Sequence, residues 1–307
     1  MRLRITNIAQ RFKRLVFGDI ANLCEANIVL TAGLHIQRIR QLGTVESLGE
    51  AEFRAFSQWG EDGIIQYLIN KVPIHERSFV EFGVENYTES NTRFLLLHDN
   101  WKGLVIDGSH SHVDFIKRDS ISWKHDLTAV CRFITRENIN EILAGSGFSG
   151  DIGLLSIDID GNDYWVWEKI DVIRPRIVIC EYNSVFGCEH AVTVPYDAEF
   201  ERGKAHYCNL YHGASLAALC RLATGKGYDF VGSNSTGTNA FFVRNDLQHG
   251  LRTFTATEGY IESKIRESRN EAGKLTFLTG EDRLRAMQDM PVYRVDSNTT
   301  VAIRELM

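Results

Sequence analysis

Apolar residues recur along this chain first at helical spacing and then in short unbroken runs. Residues 1–50 carry the helical pattern, with almost no β-branched clustering before Ile28, and predict an N-terminal helical arm. From Phe56 the pattern changes. Ser57-Gln58-Trp59-Gly60-Glu61-Asp62-Gly63 reads as a polar turn, residues 64–70 as a helix, and Pro73 as its stop. Four apolar runs follow, at 78–83, 103–108, 153–160 and 176–181, and each closes on polar or acidic residues. Helical stretches separate them, notably 90–98 and 129–143, and a weaker strand is expected near 122–125. Unbroken apolar strands alternating with helices predict a parallel sheet covered on both faces.

The pattern then reverses direction. Runs 228–232 and 239–243 are separated only by a Ser/Asn/Gly/Thr loop, too short for a crossover helix, so an antiparallel hairpin is expected. Residues 251–307 read as a helical extension with a short strand at Pro291-Val292-Tyr293, and the charged stretch 262–269 as a solvated helix face. The expected organisation is α/β: a helical arm over 1–50, a catalytic domain over 51–250, and the extension over 251–307.

Composition narrows the partners. A chain of 307 residues has room for one α/β domain plus additions, and its net charge of −6 argues against a nucleic-acid partner, whose phosphates call for a basic excess. The six cysteines form no CxxC pair and read as reduced thiols of a cytoplasmic protein rather than a zinc site. Arg2, Arg4, Arg11, Lys13 and Arg14 precede Asp19, but the apolar stretch after them is broken by Asp19 and Glu25. That excludes an export signal, and the run 26–34 is far below the roughly 20 residues of a membrane span. The arm is expected to pack on the body or on a second copy in a homo-oligomer. Peripheral contact with an anionic membrane surface is the alternative.

In open parallel sheets ligands bind beyond the carboxyl ends of the strands, so the polar residues there carry the chemistry. Glu81-Phe82-Gly83 closes the first strand, and Gly83 permits a tight turn beside a ligand. No G-x-G-x-x-G follows, which counts against NAD or FAD and their pyrophosphate. Asp107 closes the second strand, where an acid can accept the ribose hydroxyls of an adenosine. Asp126 is expected at the end of the third strand, facing the adenine amino group. Asp158 and Asp160 are expected to share one strand face, and Glu181 and Asn183 another. Carboxylates so close need a proton or a cation between them. One could act as general base on a hydroxyl, or Asp160, Glu181 and Asn183 could hold Mg2+. Residues 184–214 read as a long irregular lid, and His212 on it is a candidate base.

The order of a Glu-x-Gly turn, a strand-end Asp107, a later Asp126 and a reversed hairpin resembles the core of class I methyltransferases that use S-adenosylmethionine (SAM). Ser57-Gln58-x-Gly60-Glu61-Asp62 resembles the leading segment of FkbM-type methyltransferases. Ile157-Asp158-Ile159-Asp160-Gly161-Asn162-Asp163 resembles their Lys-Ile-Asp-Val-Glu-Gly-x-Glu motif, with Ser156 in place of the lysine and Asp160 in place of the glutamate. The resemblance spans residues 56–245. It implies a Rossmann-like SAM-binding domain, with Gln58, Glu81, Gly83, Asp107 and Asp126 about the cofactor. Asp158, Asp160 and His212 would then act on a hydroxyl, often of a sugar or polyketide, giving a small-molecule or glycan acceptor. The competing reading is a non-catalytic glycan- or partner-binding module on the same fold.

Overall fold

The computed structural model describes residue 20 and residues 23–307. The basic residues before Asp19, and what was expected of them, lie outside that range. Residues 23–40 form helix α1, as the helical spacing predicts. Ala32 and Ile36 bury one face of it against Phe56 and Phe94, while Leu23, Leu30 and Leu34 stay exposed on the other.

The strands are β1 (Ser78–Phe82), β2 (Lys102–Asp107), β3 (Leu127–Cys131), β4 (Gly150–Ile157), β5 (Ile173–Glu181), β6 (Val192–Thr193), β7 (Tyr228–Ser233), β8 (Asn239–Arg244), β9 (Pro291–Arg294) and β10 (Thr299–Ala302). Seven of them form one sheet in the order β3-β2-β1-β4-β5-β8-β7. Strands β1 to β5 run parallel, and β8 runs antiparallel to both β5 and β7. This is the expected parallel sheet closed by an antiparallel hairpin.

The sheet divides the core by strand period. Val80 and Phe82 pack on one face with Leu155, Val178 and Phe242; Phe79 packs on the other with Leu154, Ile177 and Phe241. Both faces are dry, which is why these strands read as unbroken apolar runs rather than alternating ones. Helices cover them in chain order: α2 (Glu61–Lys71), α3 (Arg93–Leu97), α4 (His110–Arg118), α5 (Ile121–Lys124), α6 (Ile139–Gly145), α7 (Asp163–Lys169), α8 (Arg202–Ala205) and α9 (Leu216–Lys226). Ser215 caps α9 by accepting from Ala218 N, and Gly227 ends it in the left-handed conformation. Two short helices, α10 (Ala256–Gly259) and α11 (Glu281–Arg285), follow the hairpin.

Four expectations need correction. The weak strand near 122–125 is α5, and β3 begins only at Leu127. The helix expected over 129–143 is β3 followed by α6. Every residue of β3, an edge strand, is half-buried, so it lacks the unbroken apolar run that marks its neighbours. The lid at 184–214 is built rather than loose: β6 joins β9 and β10 in a second sheet with a core of Val192, Val194, Leu210, Tyr211, Met287 and Val292. Residues 262–269 are not helical. Their charged side chains present no apolar stripe to bury, and the backbone is held by side chains instead, as where Arg283 donates to Ile265 O at 2.6 Å. Among the described residues no helix is long and apolar enough to cross a membrane.

Candidate active site

The carboxyl ends of β1, β2, β4 and β5 open into one cavity of about 660 Å³. Of the residues singled out in the sequence, Gln58, Glu81, Gly83, Asp107, Asp158, Asp160, Glu181, Asn183 and His212 all line it. Asp126 does not. It precedes β3, where its carbonyl accepts from Gly103 N at the start of β2, so it lies at the opposite end of the sheet. The residues at the cavity end of β3 are Arg132, Phe133 and Ile134. They were missed because that strand was expected near 122–125, ahead of its observed start at Leu127.

The half of the cavity over β1 and β2 is shaped by the segment 55–62. Asp62 Oδ2 accepts from the backbone N–H groups of Ala55, Phe56 and Ser57 and from Ser57 Oγ, at 2.7–2.8 Å. Glu61 binds Trp59 N and Gly60 N with one oxygen, and Asn234 Nδ2 and Asn239 Nδ2 of the hairpin with the other. These two buried acids are the frame that presents Gln58 and Trp59 at the cavity mouth. The motif is conspicuous in the sequence for this reason, and only Gln58 of its polar side chains is left free to meet a ligand.

Glu81 is spent in a similar way. Its carboxylate accepts from Asn91 N at 2.8 Å, Thr92 N at 3.1 Å and Thr92 Oγ1, just ahead of α3. Burial pushes its pKa up to about 7 against those hydrogen bonds. It therefore shapes the turn rather than reaching outward. Gly83 has φ +70°, and a Cβ there would lie 1.7 Å from the carbonyl oxygen of Asp158. The glycine is required by the close approach of two strand ends, with or without a ligand. Asp107 Oδ2 accepts from Glu85 N and Oδ1 from Ser109 N, both at 2.8 Å, and Oδ1 also lies 3.2 Å from His112 Nδ1. Oδ2, with a single protein donor, keeps lone-pair capacity for a ligand hydroxyl.

The half over β4 and β5 is denser in charge. β4 ends at Ile157, so Asp158 and Asp160 lie beyond the strand rather than along it. Asp160 still comes back to the cavity because its φ of +57° reverses the chain. Asp163 accepts from Ile159 N and Gly161 N and holds that turn closed, with burial raising its pKa to about 6. Burial, then the neighbouring Asp160, pushes the pKa of Asp158 well above the carboxylate range; burial, then Asp158, does the same to Glu181. His212 is shifted the other way, first by burial and then by Arg202, so its imidazole is neutral. Arg202 Nη1 donates to Asp160 Oδ1 at 2.6 Å and is the one counter-charge in direct contact with this group of acids among the described residues. The sequence placed Arg202 on the lid but offered no sign of that role.

Asn183 is not available as a metal ligand. Its Nδ2 donates to Leu210 O and His212 O, and its Oδ1 accepts from Val185 N. Instead it fixes the loop that carries His212. The ligand-type atoms that do converge come from Asp160, Glu181 and His212, all within 4.8 Å of one another.

No family model matches the chain, and neither does any curated protein. Solved structures do. The N-terminal domain of EvdMO1 with S-adenosylhomocysteine (SAH) bound is 10% identical, over 61% of this chain and 80% of that one, with a TM-score of 0.40. A SAM-dependent methyltransferase from Clostridium acetobutylicum is 8% identical over 56% and 85%, TM-score 0.37. The O-methyltransferase from Bacillus cereus in complex with SAH is 12% identical over 54% and 72%, TM-score 0.35. The strand order, with β8 alone reversed beside the edge strand β7, gives a Rossmann-like seven-stranded sheet.

Proposed function

We propose that the chain is a SAM-dependent O-methyltransferase acting on a hydroxyl of a sugar or glycan. The observation that carries the reading is that the donors a pyrophosphate would need are already engaged. In dinucleotide sites a helix N-terminus takes the pyrophosphate. Here the Glu81 carboxyl group already accepts from the N–H groups ahead of α3. SAM has no pyrophosphate to place, and its charge is that of a sulfonium cation. That distinction favours SAM over NAD or FAD.

In this reading Gly83 holds the ends of β1 and β4 together beneath the cofactor, Asp107 accepts a ribose hydroxyl, and Gln58 closes the mouth. SAM supplies an activated methyl group. The acceptor oxygen attacks that methyl, a C–O bond forms, and the S–C electron pair returns to sulfur as SAH leaves. In this reading Asp158, which lines the cavity two residues from Asp160, takes the hydroxyl proton in its ionised form. His212, with its pKa lowered, is a weaker base and fits a binding role better. Positioning of the two reactants supplies much of the rate. The polar wall of Asn162, Arg202 and Asp160 suits an acceptor rich in hydroxyls. A divalent cation at the acidic group, Mg2+ in the reading from sequence, would lower the pKa of an acceptor hydroxyl bound to it.

Calorimetric titration with SAH and, separately, NAD+ tests the reading. Micromolar binding of SAH alone supports it. Binding of neither would favour a cofactor-free binding module on this fold, and binding of NAD+ would refute that distinction.

A further inference from the structure

Acidic residues clustered at a strand end do not by themselves make a cation site. Here two buried atoms point to one. Glu181 Oε2 and His212 Nδ1 lie 3.6 Å apart, and neither has a hydrogen-bond partner among the described residues. Leaving buried polar atoms unpaired is costly, and native structures rarely do so without a reason. His212 is only 7% exposed, yet it lines the cavity. The fold also commits structure to keeping it there, since Asn183 anchors the His212 carbonyl at 2.9 Å.

We propose that Asp160, Glu181 and His212 bind one divalent cation of the Mn2+, Fe2+ or Zn2+ kind, in preference to Mg2+. Two carboxyl groups and an imidazole nitrogen converge here within 4.8 Å, and a divalent cation would bind them with both carboxyls ionised. Mg2+ favours an all-oxygen shell and sheds water reluctantly, whereas an imidazole nitrogen suits the transition metals. The oxygen ligand that would have made the set suit Mg2+, the Asn183 amide, is engaged elsewhere. Arg202 holds Asp160 by Oδ1 and leaves Oδ2 unengaged. Three protein ligands leave positions open toward the acceptor half of the cavity. A hydroxyl bound in one of them would be acidified next to Asp158. That use rests on the methyltransferase reading, but the binding itself does not.

The test is titration of the metal-free full chain with Mn2+ in the absence of any nucleoside, followed by calorimetry and electron paramagnetic resonance. One Mn2+ per chain is expected, with Mg2+ at least tenfold weaker. Pulsed resonance should show coupling to an imidazole nitrogen, lost in His212→Phe. Asp160, with 57% of its side chain exposed, can be changed without threatening the fold. Asp160→Asn should weaken Mn2+ tenfold or more at an unchanged melting temperature. No Mn2+ binding at millimolar concentration would overturn the proposal, as would bound Mn2+ without nitrogen coupling or with an affinity indifferent to Asp160→Asn. Because no SAH is present, failure here leaves the SAH titration standing, and failure of that titration leaves this result standing.

Discussion

Gly83 and Asp158 touch backbone to backbone: a Cβ on the glycine would sit 1.7 Å from the aspartate carbonyl oxygen. The ends of β1 and β4 are thereby locked together at the centre of the cavity. Gly83→Ala meets both a left-handed φ and an immovable neighbour. A loss of about 2–5 kcal/mol in stability is expected from the two penalties together, measured by urea unfolding. A variant of unchanged stability would mean that the strand ends can part.

Asp107 and Asp126 separate the two ends of the sheet. Asp107→Ala removes a charged acceptor at the cavity and should weaken SAH binding by about 10–100-fold, the range expected for hydrogen bonds to an ionised group. Asp126→Ala should leave it unchanged. Calorimetry on the pair decides whether the nucleoside lies over β2, and equal effects would move it elsewhere.

Asp62 collects three backbone N–H groups and a hydroxyl with Oδ2, while Oδ1 is buried without a partner. Burial raises its pKa while the four donors oppose the rise, so the site's demand for an acceptor and its demand for a charge are separable. Asp62→Asn, which keeps one carbonyl oxygen, should cost about 1 kcal/mol or less, and Asp62→Ala about 3 kcal/mol or more from orphaned donors. Thermal melts of both variants separate an acceptor requirement from a charge requirement.

Glu81 predicts a pH dependence. Its pKa rises from 4.5 unfolded to about 7 folded, so the native state holds a proton that the unfolded chain has released. This stabilisation is complete below pH 4.5 and is lost as pH rises through 7, for a total of about 3 kcal/mol. Glu81→Gln cannot titrate. Urea midpoints taken from pH 4.5 to 8 should therefore fall more steeply in the wild type than in the variant, whatever their baselines. Parallel curves would show that Glu81 is already ionised across that range.

Much of this architecture was written in the hydrophobic pattern. The central strands are buried on both faces, so Leu104–Ile106 and Ile177–Ile179 appear as unbroken apolar runs and Phe79–Phe82 is interrupted only by Glu81, and the short polar loop before Asn239 announces the hairpin. The edge strand β3 was misplaced because it is buried on neither face, and with it went the assignment of Asp126. Strand-end acids were equally legible, but their employment was not. Glu81 and Asp62 turn out to satisfy backbone donors, and Asn183 to anchor a loop, because hydrogen-bond partners distant in sequence leave no trace in a linear pattern. Arg202 reaches Asp160 across 42 residues, a pairing that only the folded lid creates.

The reversed strand β8 also bears on how the chain is made. It lies between β5 and β7, so the edge of β5 at Ile177, Val178 and Ile179 has no partner until residues 239–244 have left the ribosome. Through the synthesis of some sixty residues a strand with an apolar centre must wait with one edge unpaired, the condition under which nascent chains associate wrongly. Glu61, which grips Asn234 and Asn239 across the whole domain, acts as a latch that can close only at the end of that wait.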